Sequence, residues 1–343
     1  MSKENNTAVS DLSIIIPSRN DRVFLLELLK QLCILPLKCS EIIIVDSSDI
    51  KKSLTDEIKS LFQNKSYEVR HIFSNATSPG ESRNEGVAIA NGNWLGFLDT
   101  KTIPNNSWVE SCENAILTKG CHGLWGKTSY YGNGLYENII IASTYGFKDL
   151  ITVPGMIIKK EKFLHVGNFL HLSAGEDTDW MLRLKQHCIS LSTPNNKTIN
   201  YFGITELNLI RIIKKWYKNY RACRSIHHLK DHRIIYLAFF NIFILLLVFN
   251  WNAVFANWDI DSAFFIPNIS KITAAIIFAV YFLFRAILLP LLRGCSFKFL
   301  LPGNFILIFG LGVIIDCIKF IAFFPSFKSL KVSFQRILHR AQI

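Results

Sequence analysis

The stretch GEDTDWMLRL (175–184) crowds three carboxylates, Glu176, Asp177 and Asp179, into the start of a helix, with Trp180 and Arg183 just behind them. Carboxylates at a helix start ordinarily cap it. Crowding also raises a carboxylate's pKa and suits it to general-base work on a hydroxyl. A second stretch, NWLGFLDTKTIPNNSW (93–108), runs a glycine-punctuated apolar strand into Asp99 and a turn. That arrangement offers a carboxylate to a metal or a sugar at a strand's carboxyl end. Two residues on, where a second carboxylate would complete a metal site, stands Lys101. Three further places carry chemistry-bearing residues: Pro17 and Arg19 behind SIIIP, Asp46 closing EIIIVD, and Arg83, Asn84 and Gly86 in SPGESRNEG (78–86). A single Asp after a buried strand more often starts a turn or caps a helix.

The elements that position these residues follow a regular order. LSIIIP (12–17) reads as a buried strand stopped by proline. Leu25, Leu28, Leu29 and Leu32 then fall at helical spacing over 21–35, ended by Pro36. EIIIVDSS (41–48) is a second strand, Leu54 to Phe62 a second helix, YEVRHIF (67–73) a third strand. Residues 80–91 read as a helix and 93–99 as a fourth strand. Alternating strand and helix indicates βαβ units and a parallel sheet. The chemistry-bearing residues lie at corresponding ends of successive units and converge on the crevice where open α/β sheets bind ligands. Beyond 120 the alternation loosens, with strands expected near 121–131 and 154–163 and a helix near 177–187.

Two nucleotide motifs fail. CHGLWGKT (121–128) resembles a phosphate-binding loop but has Cys121 in place of the first glycine and no preceding apolar strand. GNG (132–134) lacks the third glycine of a dinucleotide fingerprint, where Glu137 stands.

The 343 residues are half apolar and 13% aromatic, with a net charge of +12. The charge is uneven. Residues 1–205 hold 21 Lys/Arg against 21 Asp/Glu, whereas 206–343 hold 17 against 5. A basic excess in the apolar half points to anionic lipid headgroups rather than nucleic acid, and no nucleic-acid-binding signature is present. The eight cysteines form no CxxC pair, which excludes a zinc ribbon or thioredoxin-like site. The polar start MSKENNTAVSD has no signal-peptide core, so the first half is expected in a reducing cytoplasm.

Residues 206–233 place Ile210, Ile213, Trp216, Tyr217 and Tyr220 on one side of a helix, with Arg211, Lys214, Lys215, Lys218, Arg221 and Arg224 filling the rest. Such a helix lies in a membrane interface; packing on the soluble domain is the alternative. Apolar spans are expected at 234–251, 272–292 and 299–324, each long enough for a hydrocarbon core of about 30 Å. Pro302, Gly303, Gly310 and Gly312 are potential breaks in the third. Eight Lys/Arg before the first span put that side in the cytoplasm. Three crossings would place the basic tail 325–343 outside, against the same rule, so a re-entrant third segment stays open. Arg285, Asp316 and Lys319 would pair within the bundle, touch a phosphate, or snorkel to the helix ends.

SIIIPSRN, EIIIVDSSD, SPGESRNEGVAIANGNWLGFLDTKTIPNNSWVE and GEDTDWMLRL, in this order over residues 12 to about 205, resemble the family 2 glycosyltransferases of the GT-A fold. The basic KKWYKNYRACRS (214–225) followed by apolar spans resembles the family's membrane-bound branch. The resemblance implies an α/β fold: a Rossmann-like, mostly parallel N-terminal GT-A domain plus a C-terminal α-helical membrane domain. The expected divisions are a polar tail 1–11, the catalytic domain 12–205, an interfacial helix 206–233, a membrane domain 234–324 and a basic tail 325–343. It implies that Pro17 and Arg19 line a nucleotide-base site, that Asp46 hydrogen-bonds the base, and that Arg83 lies near the phosphates. Asp99 would contact ribose or donor sugar. Asp177 would be the general base of an inverting transfer, with Glu176, Asp179 and Trp180 shaping the acceptor site.

The implied partners are a nucleotide-sugar donor, a polyprenyl-linked or glycan acceptor, and membrane lipids. The implied location is the inner membrane, multi-pass, with the catalytic domain cytoplasmic. The oligomeric state has no sequence signal.

Lys101 departs from the family, whose second Asp holds Mn²⁺ or Mg²⁺. An ammonium ligates no metal and repels one, but facing a diphosphate it would supply positive charge directly. A transferase without a metal cofactor, one whose metal is held by other groups (Asp99 among them), and an inactive relative are all consistent with this substitution. A non-catalytic membrane scaffold for glycan assembly is the competing function, and a lipid-moving channel a third.

Overall fold

The computed structural model describes residues 11–50, 53–201, 203, 208–225, 252–253, 255–267 and 271–323. The chain divides into two compact units, Met1–Leu207 with Arg293–Cys295, and Asn208–Leu292 with Ser296–Ile343.

The first unit opens with β1 (Leu12–Ser18), α1 (Arg22–Ile34), β2 (Glu41–Asp46), α2 (Thr55–Phe62), β3 (Glu68–Phe73), α3 (Pro79–Ile89) and β4 (Trp94–Phe97). β5 (Thr102–Pro104), α4 (Asn106–Leu117), β6 (Gly123–Tyr130), α5 (Leu135–Ser143), β7 (Leu150–Lys159), α6 (Lys160–Val166), α7 (Glu176–Gln186) and β8 (Ile199–Tyr201) follow. One eight-stranded sheet runs β3-β2-β1-β4-β7-β6-β8-β5. β1 is parallel to β2 and β4, and β2 to β3. β7 runs antiparallel to β4 and β6, while β8 is parallel to β6 and antiparallel to β5. The sheet is therefore mixed, with its parallel half in the first four strands along the chain. The chain leaves β1 toward β2 and β3, then returns to β4 on β1's other side. The carboxyl ends of β1 and β4 thus flank a topological switch point, the usual crevice for a ligand.

Side-chain alternation along β1 builds both faces. Ile14 and Ile16 pack with Leu25, Leu28, Leu29 and Trp108 on one face, and Ile15 packs with Val87, Phe97, Phe163 and Trp180 on the other. All three isoleucines are fully buried, as a central strand with helices on both faces requires. Helix α3 starts on a capping box: Ser78 Oγ accepts from Glu81 N–H, and Glu81 Oε2 accepts from Ser78 N–H. Gly86 brings α3 onto β1, since a Cβ there would lie 2.5 Å from Ile15 Cγ2.

The strand expected over 154–163 lies at Leu150–Lys159, and the chain turns helical at Lys160. CHGLWGKT runs into strand β6. Its Gly126 is required by the sheet, because a Cβ there would meet Pro154 O at 1.9 Å. β5, α4, α5 and β8 were not anticipated from the sequence.

The second unit contains α8 (Leu209–Ser225), α9 (Lys271–Leu283), a π-helical turn (Phe284–Leu288), α10 (Leu289–Leu292), α11 (Phe297–Leu300) and α12 (Asn304–Phe323). Ala275–Leu292 and Asn304–Ala322 are long and apolar enough to cross a membrane, each with a mean hydropathy of 2.4. The third expected span is interrupted at Leu301–Gly303, between α11 and α12, whereas Gly310 and Gly312 sit inside α12. Helix α8 packs against α12 and buries Ile212 and Ala222, leaving Ile210 exposed. Ile213, Trp216, Tyr217 and Tyr220 of the expected apolar side are partly buried.

Between α9 and α12, Arg285, Asp316 and Lys319 pair with one another. Asp316 accepts from Arg285 Nε (3.0 Å), Tyr281 Oη (3.0 Å) and Lys319 Nζ (3.1 Å). The expected span 234–251 and the tail 325–343 lie outside the described residues.

Candidate active site

Arg83, on the second turn of α3, is the centre of the crevice and is buried. Its Nη2 donates to Asp99 Oδ1 (2.7 Å) behind β4, and its Nη1 donates to Glu176 Oε1 (3.0 Å) at the start of α7. Burial works against the guanidinium's charge, but the two carboxylates outweigh it and raise its pKa. Burial also raises the pKa of Glu176; Arg83 opposes this and the neighbouring Asp177 adds to it. One cation therefore gathers residues 99 and 176, which are far apart in sequence.

Helix α7 begins after Gly175, whose φ of +83° favours glycine. Asp177 is half-buried, and among the described residues only its Oδ1 is engaged, by Thr178 N–H at 2.7 Å. Thr178 Oγ1 also lies 3.4 Å from that same oxygen. Asp179 and Trp180 turn the other way, into the core. Asp179 is fully buried and accepts from Arg183 Nε at 2.8 Å. Trp180 donates to Gly167 O at 2.9 Å and stacks on Phe163. Neither side chain presents surface to an acceptor: the helical repeat that aims Asp177 at the crevice aims these two at the sheet.

At the end of β2, Asp46 is buried. Its Oδ1 accepts from Ser48 N–H (3.0 Å) and Ser48 Oγ (2.5 Å), and its Oδ2 lies 3.2 Å from His71 Nε2. Leu54 N–H donates to His71 Nδ1 at 3.3 Å, so the proton sits on Nε2 and is offered to Asp46. Burial alone would raise the Asp46 pKa; the hydrogen bonds from His71 and Ser48 outweigh it and lower it. Pro17 is partly buried at the end of β1. Arg19 is exposed, donating to Thr77 O at 3.2 Å and lying 3.6 Å from Asp49.

Lys101 does not point to open solvent. Its Nζ lies 3.5 Å from Asp21 Oδ1 and 4.8 Å from the centre of the Phe24 ring. A divalent metal fits poorly. Among the described residues no three His, Cys, Asp or Glu side chains converge on one point, Asp99 is already bound by Arg83, and an ammonium stands two residues away.

The sequence reading missed three tyrosines. Tyr130 stacks on Tyr145 (4.6 Å) and meets Tyr201 edge-on (5.3 Å). Burial raises the Tyr130 pKa first, then Tyr145, Tyr201, Asp177 and Asp99. Burial likewise raises that of Tyr201, followed by Asp99, Tyr145 and Asp21. The rings therefore wall the space around the carboxylates. They come from β6, the loop after α5, and β8, and no local motif links them. His71 and Asp21 were also missed. His71 reads as one residue of a strand, and Asp21 as the first residue of the 21–35 helix.

Residues 13–163 match the family described as Glycosyl transferase family 2. A Haemophilus influenzae Rd protein described as an uncharacterized glycosyltransferase is 28% identical over 197 residues, covering 51% of this chain and 62% of that protein. The chain thus spans less than two thirds of that relative's length. Among solved structures, the mannosyltransferase PcManGT from Pyrobaculum calidifontis, in complex with GDP-Man and Mn²⁺, superposes with a TM-score of 0.51 at 12% identity. The match covers 91% of this chain and 87% of that one. S. aureus TarS 1–349 in complex with UDP-GlcNAc gives a TM-score of 0.44 at 17% identity, over 63% and 67% of the two chains. The chain thus resembles glycosyltransferase family 2 over residues 13–163, on a fold of the GT-A type.

Proposed function

We propose that this protein is an inverting glycosyltransferase that moves a sugar from a nucleotide-sugar to a lipid-linked or glycan acceptor at the cytoplasmic face of a membrane. The observation that carries the reading is the Arg83 bridge. It sets the donor-side carboxylate, Asp99, beside the helix start that bears Asp177, at the carboxyl ends of parallel strands.

In this reading the base of the donor binds near Asp46, Pro17 and Arg19, and Asp99 contacts its ribose or sugar. Asp177 takes the proton from the acceptor hydroxyl. The oxygen attacks the anomeric carbon from the side opposite the diphosphate, and the C1–O bond breaks with its electron pair leaving on the nucleoside diphosphate. Lys101 faces the leaving diphosphate with a fixed positive charge, in the place where a metal would otherwise serve. Tyr130, Tyr145 and Tyr201 wall the sugar, a surface suited to stacking on pyranose rings. The two apolar helices support a membrane location, and an acceptor confined to the bilayer suits an active site held at headgroup height.

The test is sugar transfer by the full chain purified in detergent. UDP-, GDP- and dTDP-sugars are offered with polyprenyl phosphates and lipid-linked oligosaccharides, in Mn²⁺ and in EDTA. Transfer that persists in EDTA supports the reading. A protein that releases no nucleotide from any donor under either condition is a scaffold or an inactive relative.

A further inference from the structure

Asp21 stands at the N-cap position of α1, where an Asp side chain normally accepts a hydrogen bond from one of the first free N–H groups of the helix. It does not do so here: α1 has no side-chain cap bond, and its first turn is closed by the backbone bond from Leu25 N–H to Asp21 O (2.9 Å). The Asp21 carboxylate turns across the crevice instead. Its Oδ1 lies 3.5 Å from Lys101 Nζ, and its Oδ2 accepts from Thr100 Oγ1 at 3.4 Å. Phe24, three residues along α1 and on the same side of the helix, places its ring 4.8 Å from the same ammonium. Lys101 is therefore held by a carboxylate and an aromatic face that both belong to α1.

The placement matters because α1 follows β1 and Lys101 follows β4, the two strands flanking the switch point. A helix that leaves its own cap bond unmade, while its capping residue reaches a cation across a ligand crevice, breaks a local rule at the place where function is expected to break it. A long Lys side chain loses rotamer freedom when it is ordered. Asp21 and Phe24 impose that ordering before any donor arrives, so the charge needs no rearrangement when the diphosphate leaves.

We infer that Asp21 is a positioning residue that presents the Lys101 ammonium to the departing diphosphate of the donor. This rests on the lysine reading of the proposed function. Because Asp21 partly offsets the charge of Lys101, removing its charge should not weaken ground-state binding of a diphosphate. The loss should fall on the chemical step, where position matters.

The experiment compares wild type, Asp21→Asn and Lys101→Ala as full chains in detergent, by thermal melting, by UDP and GDP affinity, and by nucleotide release from the donor panel. Asp21 has no cap bond to lose and its pair with Lys101 is part-exposed, so Asp21→Asn is expected to melt close to the wild-type temperature. Its UDP and GDP affinity should stay within about threefold, while its kcat falls about tenfold or more; Lys101→Ala should fall about 100-fold. Asp21→Asn at the wild-type rate, beside an impaired Lys101→Ala, overturns the assignment of Asp21 alone. Lys101→Ala at the wild-type rate overturns that assignment and the lysine reading together. A lower melting temperature with lost nucleotide affinity in Asp21→Asn makes Asp21 architectural and also overturns the inference.

Discussion

Arg83 answers for two carboxylates at once, which makes it the residue whose loss should be felt most widely. With its side chain replaced, Glu176 stays buried beside Asp99 and Asp177 with no cation to offset it. Removing one partner from a buried ion pair costs about 3–5 kcal/mol. Arg83→Met is therefore expected to melt well below wild type and to lose transfer activity; an unchanged melting temperature would show that the bridge is not built as described.

At this scale the sequence was only partly legible. The string GEDTDW announced a cluster of carboxylates, but a string cannot say which of them faces the crevice. Helical geometry sends Asp177 outward and buries Asp179 and Trp180, and this became visible only once the sheet beneath α7 was in place. His71 and the tyrosines carried no local signal, because their meaning depends on partners 15 to 71 residues away.

At the scale of elements, the parallel half of the sheet was the most readable part. Strands β1, β2 and β4 are apolar runs, α1 and α2 bury leucine or isoleucine along one side, and the breaks carry Pro, Gly, Ser or Asp. The antiparallel half was harder, since β5 and β8 are three residues each and are defined by distant partners, β5 by β8 and β8 by both β5 and β6.

The start of the sheet is clamped by Glu41 on β2, which accepts from Ser13 Oγ (2.7 Å), from Asn91 N–H (2.6 Å) and from Arg70. Burial would raise its pKa, but the Asn91 N–H, the Ser13 hydroxyl and Arg70 outweigh it and hold it low. A carboxylate whose folded pKa is depressed contributes stability that is present above its unfolded pKa and is lost as pH falls through the folded value. Wild-type melting temperature should therefore drop steeply below about pH 4, and Glu41→Gln should start lower at pH 7 and show a shallower acid decline. Parallel curves for the two proteins would contradict the clamp.

In the second unit, Gly312 leaves room for Arg285, since a Cβ there would lie 2.7 Å from its Nε. Asp316→Ala removes the carboxylate paired with that guanidinium and should lower the melting temperature in detergent. No change in melting would argue against the pairing.

The whole molecule combines a charge-balanced half bearing the candidate site with a basic, apolar half, and this division was legible from composition alone. Ala275–Leu292 and Asn304–Ala322 are only 17% and 28% buried, where a soluble core helix would be mostly buried. The protein is expected to stay in the membrane pellet through an alkaline carbonate wash and to leave it only with detergent. Release by carbonate would contradict a spanning anchor.

The central claim is that the crevice gathered by Arg83 transfers sugar with Asp177 as its base. The most direct measurement is nucleotide release and sugar transfer by wild type and Asp177→Asn on the same donor and acceptor, with UDP and GDP affinity measured in parallel. Wild type should transfer sugar with inverted anomeric configuration. Asp177→Asn should lose about 10²–10⁴-fold while keeping its nucleotide affinity, as a base acting on the acceptor requires. An Asp177→Asn protein that transfers at the wild-type rate, or a wild type that releases no nucleotide from any donor, would contradict it.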